Sequence, residues 1–473
     1  MRDLFVALFV ILSLPVCFRR PFIGLLVFTV LAYMRLQDLT WGFARYQRWS
    51  YFVAIVTIAG FVLAKGERRF MLPDLRCWLM VALVALVGAS IVMSRYFVPR
   101  DAESFVEFCK IVGVALFTTG VVRNRDYLRI LLWVVALSFG FFGVKNGLAF
   151  LLSGGSLVIR DGPGGMLSDN NDFALALCMA TPLLLHLGLS ERRPILRRTA
   201  LAMIPLTICT IIATHSRGAF LALGATALVL VWRSRNRVAG FSLMILVAVA
   251  GLIALPSSYK ERILTIASFE EDSSARGRIE AWKVAGRMIA ANPVLGVGYA
   301  QFQRNYRNYD PNAIPVASAD PEQRGTRVAH NSYLQIWAEC GTPAFLIYLA
   351  LLGITFTDLW RVRREAERRY HTSWIISYAV MLEASMVAFL VGSFFLNRAQ
   401  FDLFYHFVAI VIVFGVIARR TMADPVTHPV LGTERGTLAL ERAGGFGPQP
   451  RRNGFGPRER PDGFEKQPAF RGG

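Results

Sequence analysis

Thirteen apolar runs divide the chain, at residues 4–18, 21–34, 49–64, 77–93, 105–122, 130–150, 172–189, 199–214, 218–232, 238–255, 333–357, 373–395 and 402–418. Most approach the length needed to cross a hydrocarbon core of ~30 Å, where every backbone N–H and C=O must be satisfied within the segment. That leaves helices. The expectation is an all-α polytopic integral membrane protein with about 12–13 transmembrane helices. Because 54% of the 473 residues are hydrophobic and 18% charged, polar material is confined to short loops, one long insert at 256–331 and a tail.

Charge sets the orientation. The loops at Arg19-Arg20, 65–76, 123–129, 190–198, 233–237 and 358–372 carry 21 Lys or Arg, against eight in the alternate short loops: Arg35, Arg45, Arg48, Arg95, Arg100, Arg160, Arg217 and Arg398. The positive-inside rule puts the richer set in the cytoplasm and the insert outside it. The net charge of +20 therefore does not argue for nucleic acid, and no nucleic-acid partner is expected. The N-terminus is not read as a cleaved signal, because Arg19-Arg20-Pro21 leads directly into the next apolar run. Cys17, Cys77, Cys109, Cys178, Cys209 and Cys340 lie in or beside apolar segments without C-x-x-C spacing, as small buried hydrophobes do.

The layout is thus transmembrane helices 1–10 within 1–255, a large periplasmic loop at 256–331, helices 11–13 within 332–420, and a disordered cytoplasmic tail at 421–473. The tail, with Gly445-Phe-Gly-Pro448 echoed by Gly454-Phe-Gly-Pro457, cannot bury enough apolar surface to offset its chain entropy.

Transport needs polar groups near mid-bilayer, and Glu383 stands nearly alone there. Other intramembrane polar groups fall toward the outer side: Glu107, Lys110, Lys145, Asn146, Glu339, Asp402 and His406. With Arg160, Arg217, Arg276 and Arg278 they outline a basic basin suited to an anionic, lipid-linked substrate such as a polyprenyl diphosphate sugar. For each isolated Lys, the competing reading is a side chain snorkelling to the interface.

Thr214-His-Ser-Arg-Gly218 is a tight turn between apolar runs, and the Arg217 guanidinium there can hold a diphosphate with a two-pronged contact. Arg276, Arg278 and Trp282 share a helix starting near Ser273 or Ser274 and ending at Asn292-Pro293. His330 and Asn331 precede the next apolar helix, with Asn331 placed to cap it. A histidine has the unperturbed pKa to take a proton from a sugar hydroxyl near neutral pH, and His215 is the rival for that role. In Asp169-Asn-Asn-Asp172, Asp169 or Asn170 is read as a helix N-cap. No nucleotide-binding loop or metal-spaced His/Cys cluster occurs, so no cofactor and no metal are expected.

Taken together, Ser216-Arg-Gly218, Arg278-x-x-x-Trp282, Asn292-Pro-Val-Leu-Gly-Val-Gly298 and His330-Asn-Ser-Tyr-Leu334 with Glu339 and Gly341 resemble the O-antigen ligase and polymerase superfamily. The opening Met1-Arg-Asp-Leu4 and Asp169-Asn-Asn-Asp172-Phe-Ala-Leu175 look like its exosortase A system-associated, O-glycosylation ligase branch. The resemblance implies a C-type glycosyltransferase-like architecture in the bacterial inner membrane. It also implies metal-independent transfer of a glycan from undecaprenyl diphosphate to an acceptor hydroxyl on a protein, lipid or glycan, at the periplasmic face. His330 maps onto the catalytic histidine, and Arg217 and Arg278 onto the diphosphate-binding arginines. A repeat-unit polymerase of the same superfamily is the alternative, and a polysaccharide transporter a more distant one.

Overall fold

The computed structural model describes residues 1–423 apart from 65–68, 96–97, 166, 235, 255–272, 313–326, 371–372 and 398. Of the tail expected to be disordered, residues 424–473 lie outside the described residues, as do 255–272 and 313–326 in and beside the insert. Every one of the thirteen apolar runs is helical. They form α1 (Arg2–Arg19), α2 (Pro21–Tyr33), α3 (Trp49–Leu63), α4 (Leu75–Val92), α5 (Pro99–Val121), α6 (Arg125–Leu152), α7 (Asn170–Ser190), α8 (Pro194–Ala213), α9 (Arg217–Arg233) and α10 (Arg237–Ala254). After the insert helices α11 (Ser273–Ala291) and α12 (Phe302–Tyr309) come α13 (Ser332–Glu365), α14 (Ser373–Gly392) and α15 (Asp402–Ala423). A two-stranded antiparallel hairpin, Asp161–Gly164 with Leu167–Asp169, precedes α7.

The helix starts follow from local chemistry. Asp74, Asn124, Asp169, Ser216 and Asn331 each accept a backbone N–H from the first turn, and Pro21, Pro99 and Pro194 occupy first helical positions where no N–H is needed. Among the described residues, eight helices are long and apolar enough to cross a membrane: α4 to α8 and α13 to α15; α2, α3 and the first part of α10 are shorter apolar helices. The protein is an all-α polytopic membrane protein. Over the most apolar 18 residues of each span, 83% are buried in α15, 78% in α7 and 72% in α14, against 22% in α8, so the first three form the middle of the bundle and α8 faces outward. Helices α1 to α3 make a satellite core around Val10, Cys17, Leu31 and Val53.

Contacts sort the helix ends into two groups. At one end Arg76 pairs with Asp74 (2.9 Å) and with Asp358 (2.7 Å), which Arg419 also engages. In the same group Arg129 pairs with Glu191 (2.6 Å), and the Arg125 guanidinium lies 4.5 Å over the Trp374 ring. Arg363 and Arg233 reach Glu383 at 3.0 and 3.3 Å. These are the loops that the charge count assigns to one side. Glu383, which stands out in the sequence as a nearly solitary mid-bilayer candidate, lies midway along α14 and is the shared partner of two arginines from neighbouring helix ends, as a buried carboxylate requires.

Candidate functional site

The opposite end is organised by a break in α13. Gly341 has φ +79° and ψ 178°, a combination open essentially to glycine alone, and a Cβ there would stand 2.0 Å from the carbonyl oxygen of Val294. Pro343, two residues on, has no N–H to give to Glu339. The break therefore leaves the carbonyls of Ala338 and Glu339 without helical donors and turns the Thr342 N–H outward. The 292–298 loop supplies the missing partners: Val297 N donates to Ala338 O (2.9 Å), Gly298 N to Glu339 O (3.0 Å), and Thr342 N donates to Pro293 O (2.8 Å). Ser90 Oγ adds a bond to Glu339 O (2.7 Å). Irregular backbone at membrane depth survives only when it is satisfied in this way.

The insert carries a small core of its own, in which Ala281, Val284, Ala285 and Met288 of α11 repeat at helical spacing and meet Val297, Phe302, Tyr306 and Ala329. Three further ties hold it to the bundle. Phe302 N donates to the Glu339 carboxylate (3.1 Å), Gln301 Nε2 to Ser94 Oγ (2.8 Å) and to Asp101 (3.0 Å), and Arg304 pairs with the same Asp101.

His330 sits where this insert rejoins the membrane. Trp282 Nε1 donates to Ala329 O (2.9 Å), fixing the residue before it; Asn331 accepts from Tyr333 N and Leu334 N (3.0 Å each), capping α13 after it. His330 itself is half-buried with φ +47°, a left-handed conformation uncommon outside glycine and enriched for histidine among the exceptions. Burial pushes its pKa below the ordinary histidine value, and the Arg278 guanidinium pushes it the same way while Asp169 opposes. Arg278 and Asp169 are thus both within electrostatic range of the imidazole, although they come from α11 and from the cap of α7. Because Arg278 is one helical turn before Trp282, the two share a face of α11.

The Arg217 turn joins the same region through two bridges. Asn170 Nδ2 donates to Thr214 O (3.0 Å) and Ile159 O (3.4 Å), while Ile159 N donates to Ala213 O (2.8 Å), so the His215 turn lies against the start of α7 beside Asp169. A Cβ on Gly218 would stand 2.8 Å from Phe395 Cβ, so α9 begins tight against the 393–396 turn. That turn reaches the His330 segment: Phe394 packs edge-on to Trp282 (5.5 Å between centroids), and Ser332 Oγ donates to Leu396 O (3.0 Å). His215 also has a left-handed backbone (φ +54°).

Of the residues singled out in the sequence, His330, Asn331, Arg278 and Trp282 form one cluster, and the Arg217 turn abuts it. The Asn331 side-chain oxygen is engaged in capping. Arg160 is exposed next to Ile159, and Lys145 is exposed on α6, with no described interaction joining it to the cluster. The Arg276 side chain lies outside the described residues. Asp169 is the member that sequence reasoning missed: its capping oxygen, accepting from Asn171 N (2.8 Å) and Asp172 N (3.3 Å), was legible, but its approach to His330 has no local signal.

Along the chain these parts come in a fixed order, an arginine at the head of α9, a second on α11 and a histidine before α13. Residues 201–349 match the O-antigen ligase family. The match takes in Arg217, Arg278, Trp282, His330 and the Gly341 break. Residues 1–192 match a family of unknown function, and no curated protein matches the chain. The protein is a multi-pass membrane protein carrying an O-antigen ligase/polymerase-like domain.

Proposed function

We infer that the protein transfers a glycan from an undecaprenyl diphosphate donor to an acceptor hydroxyl, at the periplasmic face of the bacterial inner membrane. The observation that carries this reading is the meeting of His330 with Arg278, within an O-antigen ligase match that also contains Arg217. A histidine whose pKa is pushed down is neutral at neutral pH and ready to accept a proton. In the proposed step the acceptor oxygen attacks the anomeric carbon, its proton passes to His330, and the bond from that carbon to the diphosphate oxygen breaks. Undecaprenyl diphosphate leaves with the bonding pair. Arg217 and Arg278 neutralise its charge through fixed guanidinium contacts, which perform their work without reorganising in the transition state and without a metal. Asp169 steadies the imidazolium that forms. The periplasmic assignment is supported by the charge asymmetry of the loops, since the His330 cluster lies at the charge-poor end.

The acceptor in this reading is a protein, as the resemblance to exosortase-associated O-glycosylation ligases implies. The deciding experiment supplies the purified full-length chain with a defined polyprenyl diphosphate glycan and offers protein, lipid and glycan acceptors separately. One transferred glycan per acceptor site is the expected product. Lengthening of the lipid-linked glycan itself would make the protein a repeat-unit polymerase, and no transfer to any acceptor would refute the reading.

A further inference from the structure

At the end of the bundle remote from His330, a groove of about 470 Å³ opens between α4, α13 and α15, within the size range of small-molecule sites. Its two halves differ in chemistry. One is apolar, lined by Leu75, Ala350 and Ile354, with Gly353 beside open space where a Cβ would meet nothing within 4 Å. The other is charged, lined by Arg76, Arg361 and Arg419 against Asp74 and Asp358, three cations to two anions.

The way these charges pair leaves positive charge facing outward. Arg76, 2% exposed, donates Nε and Nη2 to Asp74 (2.9 Å each) and Nη2 also to Asp358 (2.7 Å); its Nη1 has no hydrogen-bond partner. This buried guanidinium offsets one of the two carboxylate charges, leaving one to set against the two guanidiniums nearer the surface. Arg419, half-exposed, shares Asp358, and Arg361 is exposed with no carboxylate paired to it among the described residues.

We propose that this groove binds an anionic phospholipid, its phosphate held by Arg361 and Arg419 and an acyl chain lying along Leu75, Gly353 and Ile354. The apolar half is the argument for a lipid over free phosphate, which would leave that surface unused. The excess of cations is the argument for an anionic headgroup over a zwitterionic one, whose own ammonium would sit against Arg361 and Arg419. Guanidinium pairs suit the phosphate because their planar donors match its oxygens. The site is separate from the His330 cluster and does not depend on the reaction proposed above.

Native mass spectrometry of the full chain, incubated in detergent with phosphatidylglycerol or phosphatidylethanolamine, tests this. One phosphatidylglycerol retained per chain is expected, with phosphatidylethanolamine lost. Arg361→Gln should weaken retention about five- to tenfold, the loss expected for one headgroup-level cation. Gly353→Leu should abolish retention by filling the groove, and since its Cβ enters open space and leucine favours helix, its thermal melt should match the parent. Arg197→Gln, an exposed arginine outside the groove, should change nothing. Equal retention of phosphatidylethanolamine, or undiminished retention of phosphatidylglycerol by a folded Gly353→Leu protein, would overturn the proposal. So would displacement of the lipid by millimolar inorganic phosphate, which would mark a plain anion site.

Discussion

Substituting Gly341 by alanine should disable the protein while making α13 locally more regular. At φ +79° and ψ 178° an alanine carries backbone strain of about 1–3 kcal/mol. Its Cβ would also stand 2.0 Å from Val294 O, a backbone atom that can yield only if the 292–298 loop moves. Moving the loop gives up three hydrogen bonds, from Val297 N, Gly298 N and Thr342 N, each worth roughly 0.5–1.5 kcal/mol net. An overlap with backbone atoms cannot be held, so the loop moves, and the three lost bonds set the cost at roughly 1.5–4.5 kcal/mol; the strain drives the release and is not added to it. Helix propensity offsets this by at most ~1 kcal/mol. The bundle, whose central helices do not depend on this loop, should still insert and run as a monodisperse species in detergent. Two measurements together check the reasoning: protease sensitivity near 292–298, expected to rise, and glycan transfer, expected to fall by roughly tenfold or more. A Gly341→Ala protein with parental protease resistance and parental transfer would refute the idea that the break exists to receive the loop.

Four other outcomes follow from the site. His330→Ala should lower the transfer rate by ~10²–10⁴-fold with normal insertion, whereas His215→Ala should be milder; the reverse order would move the base to the Arg217 turn. Arg217→Lys should keep the charge and lose most activity, because an ammonium cannot reproduce the planar fork, so full activity would exclude a two-pronged contact. Since Arg278 holds the His330 pKa down and the base works only when neutral, Arg278→Gln should move the acid limb of the residual rate profile to higher pH and Asp169→Asn should move it lower; limbs that stay put would separate His330 from both residues. In a Cys-free background, a single cysteine at Asn312 should react with an impermeant reagent applied from outside and one at Ser234 should not, and labelling of Ser234 would invert the orientation.

What the sequence revealed was whatever depends on near neighbours. The apolar runs became helices because a bilayer-spanning segment must satisfy its own backbone, and Asp169 and Asn331 cap helices because their side chains reach only the next turn. The end of α11 at Ala291 was legible for the same reason, since Pro293 cannot continue it. The break in α13 was not read, although Gly341 and Pro343 stand in plain view, because the surrounding run at 333–357 is apolar enough to pass as one span and its partner loop lies about forty residues away. Glu383 looked solitary because its partners, Arg233 and Arg363, come from other helices. The approach of Asp169 to His330 was hidden likewise: pairing across distant segments leaves no periodic trace.

The docking of residues 293–298 onto 338–342 also sets a height. Between Gly341 and His330 lie nine residues of regular helix, about 13 Å along the axis, so the position of the imidazole above the break is measured by α13 itself. The insert is hung from a ruler. A chimera that exchanged only 256–331 with a related protein would therefore import a loop cut for another scale, while one whose downstream junction lies beyond Thr342 would carry its own gauge and keep the histidine at its depth.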